Sequence, residues 1–180
     1  MPLAPSIVER IARARGDLRM GVPVVLTGPG GAALVVAVEA LDAARLADLR
    51  LLGTPELAIT LRRAETLKAR AYDGDLEVPE TAGIDWLRAL ANPVDDLRVP
   101  MKGPFQSLRG GAADLHRAAI ALAKSAHLLP AALLVPVADG PTLAAAHALT
   151  LLALSEVAPE LLRGSPLHPV VSARVPMVAS

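Results

Sequence analysis

The sequence predicts an α+β domain of mixed α/β layers, and three observations carry that expectation. Apolar runs of strand length, such as Val22 to Thr27, Ala33 to Glu39 and Ala131 to Val137, alternate with stretches whose apolar residues recur at helical spacing. Gly, Pro and Asp/Asn turns separate them, and the helices and strands do not follow the strict alternation of a doubly wound sheet. At 180 residues the chain suits one domain, long enough to bury about 70% of its unfolded surface.

The elements follow in order. Ser6 caps a helix whose apolar positions are Ile7, Ile11, Ala14 and Leu18; Glu9 completes a capping box and Gly21 ends the helix. Val22 to Thr27 and Ala33 to Glu39 read as strands joined by Gly28-Pro29-Gly30-Gly31, a connection short enough for a hairpin. Asp42 caps a helix running to about Leu52, with Ala43, Leu46, Leu49 and Leu52 as its buried stripe, and Gly53 to Pro55 stops it. A short strand, Leu57 to Leu61, precedes a helical stretch around Arg62 to Ala71.

Tyr72 to Gly83 is polar and contains proline, so it is expected as a loop. Gly83 to Ala91 is an amphipathic helix with the only tryptophan, Trp86, closed by Asn92-Pro93. Val94 to Gly111 is irregular, Ala112 to Leu128 is a long alanine-rich helix, and Pro130 admits the strand Ala131 to Val137. Asp139-Gly140-Pro141 is a turn before a helix, Leu143 to Ala148, capped by Thr142. Leu149 to Leu154 is a strand, Ser155 caps Glu156 to Arg163, Gly164 ends that helix, and Pro169 to Met177 alternates as an edge strand does.

Composition excludes several functions. Hydrophobic residues make up 53% but aromatics only 2%, so the core rests on many small Ala, Leu and Val contacts. Eighteen Lys plus Arg balance eighteen Asp plus Glu, a field that steers neither nucleic acid nor an anionic membrane towards the chain. With no cysteine there is neither a disulfide nor a thiolate zinc site. The N-terminus lacks the apolar stretch of a signal peptide, and no apolar run approaches the ~20 residues of a membrane span. A cytoplasmic location is expected.

The candidate chemistry is thin. The glycine-rich Gly28 to Gly31 lies between two strands, so no helix N-terminus presents its amides to a phosphate. No two of His116, His127, His147 and His168 take the i, i+4 spacing of a helical zinc pair. His116 and His127 fall on one helix, on the same face and about 16 Å apart. His116, between Asp114 and Arg117, is a candidate anion site near a helix start, and Asp95-Asp96 is a candidate carboxylate pair. Each has a structural alternative, a solvated helix end and a turn. Asp73 and Asp75 read as solvated loop carboxylates, and Arg62-Arg63 with Lys68 and Arg70 lack the aromatics that stack on bases.

Read together, four stretches resemble the 3,4-dihydroxy-2-butanone 4-phosphate synthase family, and in particular the degenerate synthase-like region of some alphaproteobacterial GTP cyclohydrolase II proteins. They are IVERIARARGDLRMGVPVVLT (Ile7 to Thr27), LVVAVEALD (Leu34 to Asp42), LAKSAHLLPAALLVPV (Leu122 to Val137) and LAAAHALTLLALSEVAPELL (Leu143 to Leu162). The resemblance implies the synthase fold, a place in riboflavin biosynthesis and a homodimer.

The departures are equally specific. The family's acidic loop, Asp-Asp-x-x-Arg-Glu-x-Glu-Gly-Asp, holds magnesium and takes a proton from ribulose 5-phosphate; here it is Gly28-Pro29-Gly30-Gly31, with no carboxylate. The Gly-His-Thr-Glu segment with the family's metal-binding histidine falls on Asp114 to Ala118, where only His116 corresponds, slipped by one residue. The glutamate of the following strand falls at Pro136, and the Ser/Thr-rich sugar-phosphate loop is replaced by Tyr72 to Gly83.

The resemblance therefore implies a pseudoenzyme: no catalytic residue, no metal in this chain, and a dimerising, stabilising or regulatory role. The alternative is a sugar-phosphate or nucleotide binder, or an altered enzyme, built on the remnant cleft by His116, Arg117, Asp95, Asp96 and Arg98. Residues 1–168 are expected as the synthase-like domain. Residues 169–180, with VVSARVPM, resemble the lead-in to a cyclohydrolase domain whose cysteine-held zinc this chain has no residues to bind.

Overall fold

The structure, a computed structural model, describes residues 3–69, 75–108 and 113–162, with the backbone alone of residue 95. Among the described residues, six strands form one mixed sheet: β1 (Val24–Gly28), β2 (Gly31–Ala37), β3 (Glu56–Ile59), β4 (Asp75–Glu77), β5 (Ala131–Val137) and β6 (Leu151–Ala153), in the order β4-β3-β5-β2-β1-β6. All neighbours are antiparallel except β1 and β6, which are parallel.

Among the described residues, seven helices cover both faces: α1 (Ile7–Arg19), α2 (Ala43–Leu52), α3 (Leu61–Thr66), α4 (Ile84–Ala91), α5 (Asp114–Ser125), α6 (Gly140–Ala146) and α7 (Leu154–Leu162). Period-two alternation along the strands divides the core in two. Val25, Leu34, Leu57, Leu76, Leu133 and Val135 pack against α2, α4 and α6. Leu26, Ala33, Ala58, Leu134 and Leu152 pack against α1, α5 and α7. Both layers are aliphatic, as an aromatic-poor composition requires.

Local chemistry sets most boundaries where the sequence places them. The Ser6 and Glu9 capping box is complete: the Ser6 amide donates to Glu9 Oε2 at 2.7 Å and the Glu9 amide to Ser6 Oγ at 3.3 Å. The hairpin turns through Pro29-Gly30, with Gly28 opposite Gly31, whose φ of 115° requires glycine.

Elsewhere tertiary contacts override the expectation. β4 lies inside the expected loop of residues 72–83; with Leu76 its only inward apolar residue it has no periodicity to read, and its ladder comes from β3 and a bridge to Ser107. Of the expected α2 stripe, only Leu46 and Leu49 are buried, while Ala43 and Leu52 face solvent. α6 starts three residues earlier than expected because Asp139, not Thr142, is its cap, accepting from the Thr142 amide at 3.0 Å. Pro141 fits there because the first helical turn has no partner for its N–H anyway. β6 ends at Ala153, and Ser155 lies within α7 rather than capping it.

α3 and α5 stop short of their expected ends, at Thr66 and Ser125, through left-handed residues, Lys68 (φ 56°) and His127 (φ 60°). His127 therefore lies beyond α5, and the expected shared helix face with His116 does not exist. The segment expected to be irregular from Val94 opens with a 3-10 turn, Pro93–Asp96, capped by Asn92 Oδ1. The expected edge strand Pro169 to Met177, the Gly164 stop and His168 fall outside the described residues.

Candidate functional site

The tip of the β1–β2 hairpin, the ends of β3 and β5, the start of β4 and the first turn of α5 enclose a hollow of about 190 Å³. It opens on the sheet face covered by α1, α5 and α7. Gly30 contributes from the hairpin, Pro136 from β5, Glu56 from β3, Asp75 from β4 and His116 from α5. The register explains the grouping: Pro136 lies opposite Ala33, Leu134 opposite Glu56, and Asp75 opposite Ala58. Glu56, Ala58 and Asp75 thus share one face, and the small Ala58 leaves room for the imidazole of α5.

His116 is bonded through one ring nitrogen and faces a second carboxylate with the other. Nε2 lies 2.8 Å from Glu56 Oε2, and Nδ1 lies 3.8 Å from Asp75 Oδ2, buried and beyond hydrogen-bond reach. The His116, Asp75 and Glu56 side chains are 14%, 12% and 23% exposed. Burial, the largest single influence, pulls the imidazole pKa down, but the Glu56 hydrogen bond and the Asp75 and Glu56 charges together hold it above its usual value. Two carboxylates, Glu56 and Asp75, thus flank the ring among the described residues of the hollow. Glu77, opposite Glu56 on β4, is exposed and does not line the hollow.

The other residues singled out from the sequence lie elsewhere. Asp96 accepts a two-pronged bond from Arg63, Nη1 to Oδ2 at 2.6 Å and Nη2 to Oδ1 at 2.7 Å, and a further bond from Lys102 Nζ. Arg63 also donates to the carbonyls of Leu90 at 2.7 Å and Ala89 at 3.2 Å, satisfying the C-terminus of α4. The Arg63 and Lys102 bonds hold the Asp96 carboxyl far below the usual carboxylate range. Arg117 pairs with Asp114 at 3.0 Å on the exposed side of α5, beside a separate apolar groove against α7, and Arg98 is exposed. The Asp95 side chain lies outside the described atoms.

The hollow thus brings together His116 with Gly30 and Pro136, two places where the resemblance puts emptied family positions. It does not include Arg117, Asp96 or Arg98. Sequence reasoning missed Glu56 and read Asp75 as solvated. The available signal was Glu56 as the one charge in the apolar run Leu57 to Leu61 and its lead-in; Asp75 gave none, because its strand is too short to show a pattern.

No family model matches the chain. In sequence it is similar to a GTP cyclohydrolase-2 of Azospirillum brasilense, 30% identical over 145 aligned residues, which take in 77% of this chain. The chain spans 38% of that relative's length. In structure it is similar to the 3,4-dihydroxy-2-butanone 4-phosphate synthase of Candida albicans, with a TM-score of 0.62 and 16% identity, covering 85% of this chain and 97% of the synthase. A two-domain synthase from A. baumannii superposes with a TM-score of 0.59 and 16% identity, covering 82% of this chain and 56% of its own. A synthase holding two magnesium ions gives 0.60 and 15% identity, over 84% of this chain and 95% of its own. The chain has the 3,4-dihydroxy-2-butanone 4-phosphate synthase fold.

That fold raises the question of magnesium, which wants an octahedron of oxygens at about 2.0–2.1 Å. The described residues do not fit it. Glu56 and Asp75 approach different nitrogens of one imidazole, with the ring between them, so the three groups do not converge on a point. Among the described residues no three His, Cys, Asp or Glu side chains are placed to share an ion. Pro136 and Gly28 to Gly31 supply no side-chain oxygen.

Proposed function

We propose that this chain is a synthase-fold domain that does not run the synthase reaction, and that it dimerises, stabilises or regulates a riboflavin-pathway protein of the GTP cyclohydrolase II type. One observation carries the reading. The hairpin tip and Pro136, which wall the hollow, offer glycine and proline where proton abstraction from a sugar phosphate needs carboxylates and a hard cation. The 30% identity to a GTP cyclohydrolase-2 supports the pathway and a covalently linked cyclohydrolase domain, whose zinc would lie outside this chain. Large apolar side chains at the surface, Leu51, Leu97 and Met101, support a homodimer. The even charge balance and the absence of a membrane-length apolar helix among the described residues support a cytoplasmic protein without nucleic-acid or membrane partners.

The test is incubation of the purified chain with ribulose 5-phosphate and magnesium, followed by analysis for dihydroxybutanone phosphate. No product is expected, and product at enzymatic rates overturns the reading. Light scattering should give twice the mass of one chain; a monomer at all concentrations removes the dimer. The two carboxylates of the hollow favour this role over a sugar-phosphate or nucleotide site there, since a phosphate would meet Glu56 and Asp75 with His116 already bonded to Glu56.

A further inference from the structure

We propose that the groove between α2 and α6 binds a small zwitterion with an apolar body, of the chemistry of a free aliphatic or aromatic amino acid. The groove lies on the sheet face covered by α2, α4 and α6 and shares no residue with the hollow. Binding there is independent of whether the chain runs the synthase reaction.

Two kinds of surface meet in the groove. Leu34 of β2 and Leu49 of α2, 2% and 3% exposed, form its floor with Pro23, and the half-buried Leu143 and Leu149 form one side. At the mouth stand Arg45 and Asp48, one turn apart on α2, and His147, the C-cap residue of α6. Side chains three apart on a helix are neighbours, and Asp114 and Arg117 pair in this way on α5 at 3.0 Å. On α2 the order is reversed, arginine before aspartate, the less favourable one for such a pair. Among the described residues the side chains of Arg45, Asp48 and His147 make no hydrogen bond or ion pair. One full positive and one full negative charge thus border an aliphatic floor, and neither cancels the other.

The groove holds about 480 Å³, within the roughly 300–1,000 Å³ of small-molecule sites. Its charges decide the class of guest. An anion drawn to Arg45 would be repelled by Asp48, and a cation the reverse. A wholly apolar guest would take water from both charges and return no hydrogen bond. A zwitterion meets each charge with its opposite: its carboxylate accepts from the forked N–H donors of the guanidinium, and its ammonium donates to Asp48. The apolar body then covers Leu34, Leu49, Leu143 and Leu149, and the loss of apolar surface from water drives binding.

The test titrates the full chain with L-leucine and L-phenylalanine, followed by calorimetry and by the ring resonances of His147. Both should bind saturably and shift those resonances. N-acetylleucine, which lacks the ammonium, and leucinamide, which lacks the carboxylate, should bind about tenfold more weakly, the cost of one charge-assisted bond, as should leucine to Arg45→Gln and Asp48→Asn. Free glycine, with both charges and no apolar body, should not saturate. No saturable binding of leucine or phenylalanine at millimolar concentration overturns the proposal, as does equal affinity for leucine and its two blocked forms, or undiminished binding by both variants. If a variant does not fold, the blocked forms against the unchanged chain decide alone. Light scattering identifies the competing occupant: should Arg45→Gln or Asp48→Asn split a dimer while amino acids leave His147 unmoved, a second copy of the chain covers the groove, which also overturns the proposal.

Discussion

His116 Nε2 lies 2.8 Å from Glu56 Oε2, a contact across 60 residues of sequence that fastens the first turn of α5 to the start of β3. Asp75 faces the other ring nitrogen. This clasp helps to wall the hollow beneath the β1–β2 hairpin.

The folded pKa of His116 is raised above its usual value, so its contribution to stability is fully present below about pH 6.5 and is lost as pH rises through the folded value. Tm measured from about pH 6 to about pH 9 should fall for the unchanged chain relative to His116→Gln, which lacks the titrating group. Parallel pH profiles for the two proteins would contradict it.

Glu56→Gln removes the charge but keeps the shape. The His116 pKa should move down from its value in the unchanged chain, because both the hydrogen bond and the charge of Glu56 raise it. Titration of the ring protons by NMR reads this directly. Urea unfolding should show a loss of about 1–2 kcal/mol near neutral pH, typical of a weakened charge-assisted bond.

Asp96→Ala leaves the guanidinium of Arg63 and the ammonium of Lys102, only 4% exposed, without their shared carboxylate. A loss of about 3–5 kcal/mol is expected in urea unfolding, the cost of stranding buried charge. In the unchanged chain the depressed Asp96 pKa makes its stabilisation present above about 3.8 and lost only as pH falls towards the much lower folded value. Acid unfolding of Asp96→Asn should therefore start from a lower plateau and lack that step.

Gly140 sits where α6 meets the sheet, and a Cβ there would lie 2.7 Å from the Ala32 Cβ and 2.9 Å from Val25 Cγ1. Gly140→Ala should cost about 1–3 kcal/mol as overpacking, measured by the urea midpoint at constant m. Gly83→Ala, with nothing within 4 Å of its Cβ, is the control and should stay within about 0.5 kcal/mol.

What the sequence made legible follows from how local each signal is. The capping box of Ser6 and Glu9, the Asp42 cap, the glycine hairpin and the apolar runs of β2 and β5 are each specified by neighbours within a few residues, and each lies within two residues of where it reads. β4 does not, because three residues with one inward leucine carry no period, and its strand character comes from β3. The end of α5 at Ser125 was illegible for a related reason: His127, a non-glycine residue in the left-handed region, is held there by the closing bonds of the helix terminus, not by its own preference.

The site divides in the same way. That the hairpin tip and Pro136 carry no carboxylate is a fact of sequence. That His116 would meet Glu56 and Asp75, rather than Arg117 and the Asp96 group, was decided only by the fold. The antiparallel β3–β4 ladder sets Asp75 opposite Ala58, two residues from Glu56 on the same face, and α5 crosses at that point. Side chains from three separate elements can form one charged cluster only after the sheet has fixed which strand lies beside which, and no spacing along the chain encodes that.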